Sequence, residues 1–186
     1  MRDPWTAFAK ARGLKVVAAS PVLVEGRSRV LHGVVDGVPL IVDTCREASR
    51  VHFVPHTRIT GRAVAPVPVR VSVQSRDGAV PESEASRPFA DRPRRLETPD
   101  DPELAERFTV RASGSEGAES PARVRALLGE GLRGALLRFP EPLFLTYDGG
   151  ETRLIWEGEE GDDVTLGLAA DIVLAACRFR AAGGYR

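Results

Sequence analysis

A chain of 186 residues with 26 Lys+Arg against 26 Asp+Glu carries no net charge, so it has no whole-molecule field of the kind that draws a protein onto nucleic acid. The length suits one domain burying roughly 70% of the surface its unfolded chain would expose. Two cysteines exclude a disulfide framework, no apolar run reaches the roughly 20 residues of a membrane span, and the first residues lack a secretory signal's apolar stretch, so the expected compartment is the cytoplasm. Positive charge is almost all arginine, with Lys10 and Lys15 the only lysines.

Asp3-Pro4-Trp5 reads as an N-cap followed by proline at the first helical position, with Gly13 placed to end the helix. Strands are expected over 16–24, 29–35 and 38–44, the last two joined at Asp36-Gly37, whose residues tolerate the positive φ of a tight hairpin. Pro39 marks a strand that begins there or has a free edge. An irregular stretch holding Cys45, His52 and His56 follows, then extended chain over 57–65 and a strand over 67–73 with valines on one face. From 76 to about 100 large apolar residues almost vanish, which predicts a flexible loop.

The second half opens with a helical turn at 102–106, a strand at 108–111 and a helix from Ser120-Pro121 to Leu128. A further turn of helix is expected at 132–137, ended by Pro140 and Pro142. Residues 143–147 and 152–156 then form a hairpin across Asp148-Gly149-Gly150. Asp162 and Asp163 sit where negative charge favours a helix N-terminus, and Leu168, Ile172, Ala175, Ala176 and Phe179 recur at helical spacing. The expected architecture is one α+β domain over 1–186, with an antiparallel sheet built from hairpins. A short N-terminal helix and a long C-terminal helix pack on one face, and the flexible loop interrupts the body at about 76–100.

The chemistry-bearing residues gather at Asp43, Cys45, His52 and His56. A zinc site would use the two histidines and Cys45 with Asp43, but Pro55 disfavours helix just before His56, and four strand residues span about 13 Å. The same set permits a Cys45 nucleophile activated by His52 or His56 and oriented by Asp43, with Arg46, Arg50 and Arg58 supplying positive charge. The spacing matches no known nucleophile motif, so surface histidines beside a half-buried cysteine are the simpler expectation. Cys177 belongs to the apolar face of the last helix.

Gly129, Gly131 and Gly134 form a formal Gly-x-Gly-x-x-Gly, but they follow a helix rather than a strand, so a turn between helices is expected and no cofactor. The acids from Glu157 to Asp163 lack the spacing of a calcium loop and suit a solvated helix cap. Arg87, Arg92, Arg94 and Arg95 are cancelled by Glu82, Glu84, Glu97, Asp100 and Asp101, which argues against specific nucleic-acid binding. Trp5 and Phe8 beside Lys10, Arg12 and Lys15 would suit an interfacial anchor, although packing onto the sheet is the expected fate of so short an apolar face.

The run from Leu96 to Val110, with Ala126-Leu127-Leu128 and the hairpin over 143–156, resembles a group of uncharacterised bacterial domains of unknown function. In these a Thr-Gly-Asp-like turn precedes a Phe-x-Val strand, here Phe108 and Val110, a Leu-Leu helix and a Gly-Gly hairpin. The resemblance covers much of the second half; the first agrees through Gly33, Gly37 and Thr57-Arg58, and Pro99 stands where glycine is usual. It implies an α+β fold and brings no catalytic set. The expected function is a non-catalytic interaction or ligand-binding module whose partner is a protein or a small ligand. The alternative is a small thiol-dependent hydrolase or metal-binding protein using the Asp43 to His56 region.

Overall fold

A computed structural model describes residues 3–17, 30–48, 53–63, 69–78, 94–96, 101–114, 121–140, 142–158 and 161–179. Helix α1, Pro4–Arg12, starts as its sequence dictates: the Asp3 carboxylate accepts from the Thr6 backbone N–H, proline occupies the first turn, and Gly13 closes the helix at φ 67°. Trp5, Phe8 and Ala9 point inward, so they serve the core and not an interface with lipid.

The strands in chain order are β1 (Lys15–Val17), β2 (Val30–Val35), β3 (Val38–Ala48), β4 (Phe53–Arg62), β5 (Val69–Ser75) and β6 (Arg94–Leu96). Helix α2 (Pro102–Arg107), β7 (Phe108–Gly114), α3 (Pro121–Leu127), α4 (Glu130–Arg138), β8 (Leu143–Asp148), β9 (Glu151–Glu157) and α5 (Asp163–Cys177) complete the described elements. The strands make one antiparallel sheet of nine in the order β1-β2-β3-β4-β9-β8-β5-β7-β6. The β8–β9 hairpin of the second half is thus inserted between β4 and β5 of the first, pairing with both.

Turn chemistry sets the hairpins. Asp36 and Gly37 both have positive φ, 49° and 80°, as a two-residue hairpin turn compatible with strand twist requires. Two prolines are accommodated because a neighbouring strand stops beside each. Pairing between β3 and β4 begins at Leu40, one residue past Pro39, and β9 ends opposite His56, one residue past Pro55.

That accommodation corrects one expectation. Cys45 and His56 lie inside β3 and β4, not in an irregular stretch, because the ladder runs on to Ala48 opposite Phe53. A second correction concerns the span 76–100: Arg94–Leu96 is the edge strand β6, paired with Val110 to Ala112 of β7, whose free edge supplies backbone partners that local composition does not reveal. Residues 79–93 and 97–100 of that span, and 18–24 of the expected first strand, lie outside the described residues, as does His52. The expected turn at 132–137 is a full helix, with Gly129 at its N-cap and Gly131 and Gly134 inside it.

The helices pack on one face of the sheet. Leu31, Leu40, Val42, Ile59, Leu154, Trp156, Val71 and Val110 from the strands share a single core cluster with Trp5, Phe8, Leu132, Leu136, Leu166, Ile172 and Val173 from the helices. Asp162 caps α5, accepting from the Thr165 hydroxyl and from the backbone N–H groups of Thr165 and Val164, and these bonds, the hydroxyl's first, hold its carboxyl below the usual range. The buried side of α5 centres on Leu166, Ala169, Ala170, Val173, Ala176 and Cys177, while Leu168 and Ala175 are only partly covered. Gly61 on β4 lets this helix approach: a Cβ there would lie 2.6 Å from Cγ1 of Val173 and 2.8 Å from Sγ of Cys177.

Arginines tie the helix layer together. Arg133 of α4 bonds the Asp101 carboxylate at 2.6 and 2.9 Å and Glu103 at 2.7 Å, and holds the Asp101 carboxyl well below its ordinary pKa. Arg12 reaches from α1 to Asp171 of α5 at 2.8 Å.

Candidate functional site

The period of two along each strand sends alternate residues to the face that the described helices leave alone. Register aligns them in rows. Asp43, Arg58, Ile155 and Phe144 form one row across β3, β4, β9 and β8; Ile41, Thr60, Arg153, Thr146 and Ser72 form the next, continuing onto β5. A third, at the end of the strands, holds Cys45, His56 and Glu157.

The centre of this face is packed and charge-paired. Arg58 donates from Nε to Oδ1 of Asp43 at 2.9 Å and from Nη2 to Oδ2 at 2.7 Å, a bidentate pair whose acid is 2% exposed. Arg70 pairs with Asp148 across β5 and β8, and Arg153 pairs with Glu151 at 2.5 Å. Phe144 and Ile155, cross-strand partners, are buried yet stand outside the core cluster of the helix face. Ile155 lies between Arg58 and Arg153, whose aliphatic stems suit them to shelter it.

Toward β1 the face changes character. Val34 is 62% exposed, Ile41 45% and Val17 41%. Lys15 and His32 are cross-strand partners in their midst, and Arg62 stands exposed on β4.

Of the residues singled out in the sequence, the fold brings Cys45 and His56 directly opposite each other as Cα partners, both partly exposed. The His56 ring meets the Val54 carbonyl through Nδ1 at 3.0 Å, which favours the tautomer with a free electron pair on Nε2. Asp43 shares their face but is engaged by Arg58. The acid in register with His56 is Glu157, which the sequence reads only as part of an acidic helix cap and not as a partner of His56. No local signal could have found it, because the β4–β9 pairing joins residues about a hundred apart in the chain. Among the described residues no group of three His, Cys, Asp or Glu side chains converges as metal ligands would.

Cys177 lies on the other side of the sheet, fully buried, where burial pushes its thiol pKa up against the opposing influence of hydrogen bonding from Thr152. A cleft of about 330 Å³ lined by Ser75, Arg76, Asp77, Glu106, Arg107, Pro140 and Pro142 opens on the helix side. Its arginines already donate to main-chain carbonyls, Arg76 to Ala105 and Arg107 to Leu137 and Phe139, so the cleft reads as a joint between elements.

These features define a helix-backed antiparallel sheet with one face left clear of the described helices. No family model matches the chain, and no curated protein matches it. Among solved structures it is similar to the crystal structure of the mycobacterial trehalose monomycolate transport factor A, TtfA, with a TM-score of 0.62 at 11% identity over 92% of this chain and 89% of that one. At that identity the likeness is one of fold. No helix among the described residues is long and apolar enough to cross a membrane.

Proposed function

We propose that this chain is a non-catalytic interaction module that receives its partner on the face that the described helices leave clear, here termed the open face, at the end formed by β1 to β3. The observation that carries the reading is the contrast within that face: a packed, charge-paired centre beside a margin where Val17, Val34 and Ile41 meet water. Val34 and Ile41 are diagonal neighbours across β2 and β3, and exposed aliphatic side chains gathered on one sheet margin suit a surface that a partner covers. The similar fold belongs to a transport factor, and an accessory role of that kind suits a chain that exposes an apolar sheet margin. A photo-crosslinking side chain at Ile41, introduced in the host cell, should give one discrete adduct. The same side chain at Val164, an even more exposed apolar residue at the start of α5, should give none. Adducts at Val164 with none at Ile41 would refute the reading.

A second reading follows from the row Cys45, His56 and Glu157, whose order is that of a thiol, a base and an orienting acid. It makes the chain a thiol-dependent hydrolase with Glu157 in the role first given to Asp43. Alkylation of Cys45 faster than a free cysteine, slowed severalfold by His56→Ala, would favour this reading; a rate equal to free cysteine in both proteins would dismiss it.

A further inference from the structure

We infer that the β1–β3 margin of the open face docks on an anionic lipid bilayer surface, with Val17, Val34 and Ile41 entering the interface and Lys15 and Arg62 meeting the headgroups. The inference rests on the docking reading above and gives that surface its occupant. Its first support is the combination of exposed aliphatic side chains with exposed cations on one side of a rigid sheet, the chemistry of proteins that lie on membranes.

Charge distribution is the second support. Among the described residues the acids nearest the margin are engaged: Asp43 is buried against Arg58, Asp36 of the β2–β3 turn pairs with Arg178 at 2.5 Å, and Glu151, the Cα partner of Arg62, pairs with Arg153. Lys15 and Arg62, by contrast, make no ion pair among the described residues. A margin whose described acids are paired and whose described cations, Lys15 and Arg62, are exposed is complementary to a negative surface, although the whole chain is neutral.

The chain supplies its own reporter, because its two lysines stand on opposite sides of the sheet: Lys15 on β1 faces the margin and Lys10 belongs to α1 in the helix layer. Purified full-length protein is mixed with vesicles of phosphatidylcholine containing phosphatidylglycerol, or of phosphatidylcholine alone, and the lysines are reductively methylated. Anionic vesicles should slow modification of Lys15 by about threefold or more and leave Lys10 unchanged, with the protection lost at high salt. The double variant Val34→Ser with Ile41→Ser, shown to melt as the parent does, should lose it as well. Equal protection of both lysines, equal protection by neutral vesicles, or none at all overturns the inference. If protection is absent while Ile41 still crosslinks to a protein, the lipid occupant fails and the docking face stands; if both are absent, both fail.

Discussion

The two cysteines occupy opposite faces of the same sheet, and their surroundings show that the two faces are held by different physics. Cys177 is fully buried against Gly61, in a layer where α5 approaches β4 so closely that a methyl group has no room. Cys45 is partly exposed, two residues along from Asp43 on a face where burial is achieved by pairing charges across strands. The helix face depends on shape and the open face on electrostatics, so the helix face should resist changes of charge elsewhere but not of volume, and the other face the reverse.

The largest effect is expected where that electrostatic arrangement is cut. Asp43→Ala removes the carboxylate that holds the Arg58 guanidinium, itself only 15% exposed, and breaking so buried a pair costs about 3 kcal/mol. For a chain of this size that is a fall in Tm of roughly 10 °C. Replacing both members, Asp43→Val with Arg58→Val, should recover most of the loss, since β-branched residues suit paired strand positions and no charge is left stranded. Thermal melts of the single and double variants decide it: a double variant no more stable than Asp43→Ala would mean that the pair does more than satisfy itself.

The same contrast separates what could be read in the sequence from what could not. Caps and turns were legible, because Asp3-Pro4 with Gly13, Asp36-Gly37 and Asp162 act through bonds to residues within a few positions. The valines of β5 were legible as a buried face through their alternation. Strand order was not: inserting β8–β9 between β4 and β5 is decided by packing across the whole chain. The site suffered for this reason. Cys45 and His56 could be named as candidates by residue type, but their placement opposite each other, the capture of Asp43 by Arg58 and the arrival of Glu157 beside His56 all depend on register between strands. Exposure on one margin, which carries the proposed function, has no sequence signal at all, since Val17, Val34 and Ile41 alternate as any half-buried strand residues do.

A smaller effect should sharpen the steric half of the comparison, and two glycines on the helix side make it quantitative. A Cβ at Gly61 would meet Val173, Cys177 and Leu40 at 2.6, 2.8 and 3.1 Å, three side chains fixed between β4, β3 and α5. Gly61→Ala must therefore push the helix or distort rotamers, an overpacking cost of about 1 to 3 kcal/mol. At Gly33 the closest atom is Cδ2 of Leu14, at 2.9 Å, the far end of a flexible side chain beside the short edge strand β1. There the leucine side chain turns aside, although its Cα at 3.3 Å and the Gly13 carbonyl at 3.4 Å stay close, and the smaller conformational freedom of alanine in the unfolded chain offsets part of the strain, so Gly33→Ala should cost less than Gly61→Ala, under about 1 kcal/mol. Denaturant midpoints of the two variants measure the difference. If Gly33→Ala proved as damaging as Gly61→Ala, tight packing would extend to the sheet edge, and the fit at α5 would not be special to the centre of the helix face.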